Sequence, residues 1–136
     1  MMLNFDAANR EACVVRETRT NTPLQALNLM NDVTFLESAR MIGQRMIGEG
    51  GSTADTRLAY GFRLVTGRTP SDRERQVLAD SLRYHADYFA SGSDRAANYL
   101  GQGEAPPDKS IPQRDLAAYT SVASLMMNLD EAVTKE

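Results

Sequence analysis

The stretch Ser71-Asp72-Arg73-Glu74-Arg75-Gln76-Val77-Leu78-Ala79-Asp80-Ser81-Leu82-Arg83-Tyr84-His85-Ala86-Asp87-Tyr88-Phe89-Ala90 carries a complete helix signature. Ser71 followed three residues later by Glu74 matches a capping box, in which each side chain satisfies the other residue's backbone N–H. Leu78, Leu82, His85 and Phe89 then recur at helical spacing, so the pattern predicts a helix from Asp72 to about Ala90 with these four on its inner face. Thr66-Gly67-Arg68-Thr69-Pro70 reads as a tight break before it, and Ser91-Gly92-Ser93 as the break after it.

The same grammar extends in both directions. Upstream, Ser52-Thr53 opens a helix with Leu58, Phe62 and Val65 on one face, and Gly48, Gly50 and Gly51 stop the helix before it. That earlier helix has Asp32 as a good N-cap and Phe35, Ala39, Ile42 and Met46 as its apolar stripe. Thr22 and Pro23 read as N-cap and first helical residue of another short helix bearing Leu24, Leu27 and Met30. One long helix from Pro23 to Ile47 is the alternative. Downstream, Asp94 to Leu100 makes a short helix and Gly101 to Pro112 a Gly/Pro-rich loop. A last helix starts at Gln113 or Asp115 with Leu116, Tyr119, Val122 or Ala123, Met126 and Leu129 inward.

The expected fold class is therefore all-α: an irregular bundle of five or six short helices with an extended N-terminal arm. No heptad persists long enough for a coiled coil. At 136 residues the chain has the size of one domain. Residues 1–21 are expected to form the arm, docked on a helical core of residues 22–136. Few aromatics, no Trp and seven Met suit helix faces better than strands.

Composition narrows the function classes. A formal net charge of −3 with mixed signs gives no global attraction to nucleic acid. No apolar run approaches the roughly 20 residues a membrane span needs, and the first residues lack a signal-peptide pattern, so the chain as written is expected in the cytoplasm. Cys13 is the only cysteine, which leaves no internal disulfide and no cysteine-based metal cluster. Its flanks, Arg10 and Arg16, would lower a thiol pKa in an exposed arm, but a small buried hydrophobe is the favoured reading. His85 is the only histidine and sits on an apolar face, where a packed structural role outweighs a catalytic one. No phosphate loop, dinucleotide fingerprint or haem-attachment motif is present, and no cofactor is called for.

The densest run of hydrogen-bonding side chains is Arg16 to Asp32. Arg10, Arg16, Arg19, Asn21 and Gln25 are the candidate ligand-binding residues, since arginine forks and free helix N–H groups grip anions. The competing role for these arginines is to pin the arm by pairing with Asp6, Glu11, Glu17 or the C-terminal acids. No complete catalytic set accompanies them.

Phe5-Asp6-Ala7-Ala8-Asn9-Arg10, Cys13-Val14-Val15-Arg16 and Arg19-Thr20-Asn21-Thr22-Pro23-Leu24-Gln25-Ala26-Leu27 with Asn31-Asp32 resemble the most recognisable motif of a planctomycete-specific domain of unknown function. Phe62-Arg63-Leu64, Gly67-Arg68-Thr69-Pro70-Ser71 and Glu74 resemble its next block, and Ala123 to Glu136 its closing one. The resemblance implies the C-terminal part of a domain that ends large, usually exported proteins carrying a cytochrome-c-like haem domain upstream. It implies no assigned activity, and a chain whose apolar faces have lost their partners. From this follows the expectation of a non-catalytic interaction or scaffold module. Its partner would be another protein or the missing upstream domains, with homo-oligomers a further outcome and neither nucleic acid nor membrane insertion involved. The rival is a polar pocket for an anionic or carbohydrate-like ligand completed by the upstream domains. A redox partner of haem proteins is a third class, resting on family company alone.

Overall fold

The computed structural model describes Pro23, Leu24, Leu27, residues 32–92 and residues 94–133. Its best-signalled helix forms as the sequence dictates. Ser71 Oγ accepts from the Glu74 N–H while the Glu74 carboxylate accepts from the Ser71 N–H at 2.7 Å, and the helix runs Asp72–Ala90. In chain order the described helices are α1 (Val33–Glu49), α2 (Ala54–Thr66), α3 (Asp72–Ala90), α4 (Arg95–Leu100), α5 (Gln113–Met127) and α6 (Asp130–Val133). No strand occurs among the described residues, and the fold is all-α.

Most of the starts are local and match the expectation. Asp32 caps α1 by accepting from the Phe35 N–H at 3.1 Å, and Thr53 caps α2 through the Thr56 N–H. The backbone of Asp32 is extended (φ −77°, ψ 126°), which separates α1 from the helical Pro23, Leu24 and Leu27 and excludes one continuous helix. Leu24 and Leu27 are exposed, so they make no buried stripe within the described residues. Gly48 lies inside α1, whose stop is Gly50. Gly67 ends α2 at φ 78°, a left-handed conformation glycine adopts without strain.

The larger surprise is α5. Sequence spacing predicts one inward face, yet Leu116, Ala117, Ala118, Tyr119, Thr120, Val122, Ala123, Ser124 and Met126 are all buried. This helix is the axis of the bundle, packed by α1 and α3 along most of its length and by α2, α4 and α6 at shorter contacts. Small residues make that possible. A Cβ on Gly43 of α1 would lie 3.1 Å from the Thr120 N of α5, so the missing side chain lets the two backbones close up. The buried Thr120 hydroxyl is satisfied by donating to the Leu116 carbonyl at 2.7 Å.

Two apolar clusters share this axis. Ala39, Met46, Leu58, Phe62 and Leu78 pack against Tyr119, Val122, Ala123 and Met126 of α5. Phe89, Ala96 and Leu100 pack against Leu116, Ala117 and Ala118. Ile47 and Leu82 touch both clusters and join them into one continuous interior.

Among the described residues, one charged side chain enters that interior. Arg40 of α1 is 2% exposed and donates to the carbonyls of Leu100 (2.6 Å), Gln102 (3.0 Å) and Ala105. Glu37, one turn earlier, accepts from the Ala105 N–H at 2.7 Å. Together they hold the loop after α4 against α1, supplying partners that this aperiodic stretch cannot make for itself.

Candidate functional site

Two of the surfaces formed by the described residues have the shape and chemistry to receive a partner or ligand. The first is built around the turn from α2 to α3. Leaving the left-handed Gly67, Arg68 lays its guanidinium over the Phe62 ring at 4.8 Å and forks between two carboxylates. It meets Glu74 at 2.6 and 3.0 Å and Glu131 at 2.5 and 2.9 Å. The bond from Arg68, followed by those from the Ser71 N–H and hydroxyl, holds the Glu74 carboxyl down to about 2. Arg68 also keeps Glu131 below the usual carboxylate range. Glu131 belongs to α6, so this exposed network ties the four-residue α6 to the helices before it.

Beside α6 lies a groove of about 400 Å³ lined by Phe35 and Ile42 of α1, Leu64 and Val65 of α2, Met127 of α5, and Ala132 and Val133 of α6. Every lining side chain is apolar. Leu64 is 39% and Val133 38% exposed, so the groove is open and suits an apolar occupant.

The second surface is a cleft of about 540 Å³ between the C-terminal half of α3, α4 and α5. Its walls are mainly rings. Tyr88 meets Phe89 edge-on at 5.2 Å, and Phe89 meets Tyr99 at 5.4 Å. His85 also lines it, in edge contact with Tyr84 at 5.3 Å. Burial pushes the His85 imidazole down and the Tyr99 phenol up, the latter partly opposed by the Ser121 hydroxyl, so both rings favour their neutral forms.

Arg10, Arg16, Arg19, Asn21 and Gln25 lie outside the described residues, as do Cys13, Thr22 and Met30 and the arm itself. Of the C-terminal acids proposed to pin the arm, Glu131 is engaged by Arg68. His85 is half-buried and faces the cleft, with no carboxylate set around it. Among the described residues no group of three or more His, Cys, Asp or Glu is arranged to hold a metal ion, and no helix is long and apolar enough to cross a membrane.

Sequence reasoning missed Arg40, the Arg68 fork and the cleft. Arg40 had a usable signal, because it stands between Leu36 and Gly43 on the face of α1 that also carries Ala39 and Met46. An arginine at an inward position is buried with partners or not at all. The other two had no such signal, since their members come from segments far apart in the chain.

The fold and these surfaces define a small helical module with an open apolar face and a ring-lined cleft. The family model described as PSD1, protein of unknown function (DUF1553), matches residues 1–82, and the chain belongs to that family. The match takes in α1, α2 and the first part of α3, and stops short of the closing block at Ala123 to Glu136. No curated protein and no solved structure matches the chain.

Proposed function

We propose that the chain is a non-catalytic interaction module that packs its apolar groove against the upstream part of a larger, exported parent protein. The observation that carries this reading is the open groove of Phe35, Ile42, Leu64, Val65, Met127, Ala132 and Val133. Covering the apolar surface these side chains still present favours association at about 25 cal/mol per Å² before the cost of ordering is counted. The groove includes Phe35, in the first turn of α1. The planctomycete origin and the company of a cytochrome-c-like domain belong to this proposal through the motif resemblance.

Separated from its partner, such a groove drives the chain to associate with itself. Sedimentation velocity over a wide concentration range is expected to show reversible oligomers for the wild-type chain and a monomer for Leu64→Asp. A wild-type chain that stays monomeric at the highest concentration would overturn the reading. So would oligomers that Leu64→Asp and Val133→Asp leave unchanged.

A further inference from the structure

The ring-lined cleft between α3, α4 and α5 is separate from the docking groove, and its lining residues all lie beyond the span of the family match. Its volume, about 540 Å³, falls in the range of small-molecule sites, which are mostly apolar with a few placed polar groups. Ser124 is one of those groups. It lines the cleft and is only 8% exposed, and no hydrogen bond ties its hydroxyl to the preceding turn of α5. Its neighbours behave differently. Thr120 and Ser121, on the same helix, donate back to the carbonyls of Leu116 and Ala117 at 2.7 and 3.0 Å. A hydroxyl that faces the cleft and is not tied back to the helix is available to a bound polar atom in exchange for water.

Arg95 supplies the charge. Its guanidinium lies 4.6 Å from the centre of the Tyr88 ring, and Nη1 donates to the Tyr88 carbonyl and to Ser91 Oγ. Those bonds fix the side chain at the cleft wall while Nε and Nη2 keep their protons unengaged among the described residues. A guanidinium with an open edge beside a ring wall recognises a planar anion through charge-assisted, fork-like bonds. Tyr88, Phe89 and Tyr99 offer ring edges and faces to a flat apolar body.

We infer that this cleft binds an aromatic carboxylate of one or two rings. The carboxylate sits on the open edge of Arg95, the ring system packs among Tyr88, Phe89 and Tyr99, and Ser124 donates to a polar atom of the ligand. A sugar acid would meet the same cation but would set its hydroxyls against largely apolar walls.

Isothermal titration calorimetry of the whole chain with naphthoate, the neutral naphthamide and glucuronate tests this. Naphthoate is expected to bind saturably and more tightly than either comparison compound. Arg95→Gln changes an exposed side chain and should weaken naphthoate roughly tenfold or more while leaving naphthamide unaffected. Ser124→Leu fills the cleft and should abolish binding of both aromatic probes, with its circular dichroism spectrum confirming a folded chain. The assignment is overturned if naphthoate shows no saturable binding at millimolar concentration or if glucuronate binds as well. It is also overturned if Arg95→Gln weakens naphthoate and naphthamide equally.

Discussion

Arg40 donates through Nη1 to the carbonyl oxygen of Leu100 at 2.6 Å, across 60 residues of sequence. The bond joins the middle of α1 to the last residue of α4, and the same guanidinium continues to Gln102 and Ala105. Its Nε is buried without a partner, so the fit is incomplete even though the other nitrogens are well served. Arg40→Leu removes the shared donor of three carbonyls, and is expected to cost about 3 kcal/mol or more in chemical denaturation. Arg40→Lys should recover only part of that loss, because an ammonium cannot span the same carbonyls as the planar fork. Hydrogen exchange at the Ala105 amide should accelerate in both variants.

Acid should weaken the fold in a defined window. Glu74 and Glu131 both titrate lower in the folded chain than in the unfolded one, where a carboxyl near 4.5 is ordinary. The unfolded state therefore takes up protons first. The stability these two carboxylates contribute is fully present above about pH 4.5 and is lost as the pH falls towards 2, the value about which Glu74 titrates when folded. Asp108, held low by the N–H and hydroxyl of Ser110, adds to the same window. Thermal melts of Arg68→Gln across this range should show a much flatter dependence, converging with wild type at the acid end.

The close approach of α1 to α5 at Gly43 gives a packing prediction. A leucine there would push against the Thr120 backbone, which cannot turn aside as a side chain does. Gly43→Leu is expected to destabilise the chain by about 1–3 kcal/mol in urea titrations, despite leucine's higher helix propensity. A neutral or stabilising outcome would show that the helices separate at little cost.

The α1 cap offers a smaller test. Asp32→Ala removes the acceptor for the Phe35 N–H and should lower stability by about 1 kcal/mol. Asp32→Asn, which keeps a cap oxygen, should remain near wild type. Both measurements use the same denaturation assay, so they also calibrate the larger Arg40 effect.

What the sequence alone determined is most of the helix starts and the stop at Gly67; the end of α5 at Met127 and the separate α6 were not foreseen, since the last helix was expected to carry Leu129. Ser71 with Glu74, Asp32, Thr53 and Gly67 act within three or four residues of themselves, so their chemistry is readable without knowing the fold. The all-α class and the family motif were legible for the same reason. The candidate polar arm was legible only as a pattern, because Arg10, Arg16, Arg19, Asn21 and Gln25 lie outside the described residues. Tertiary structure decided which helix is central, and therefore why α5 is buried on nearly every side rather than on one. It also decided that Arg40 meets Leu100, that Arg68 meets Glu131, and that Tyr88, Arg95 and Ser124 face a common cleft. Each of those encounters joins residues of different helices, where spacing along the chain says nothing about distance in space.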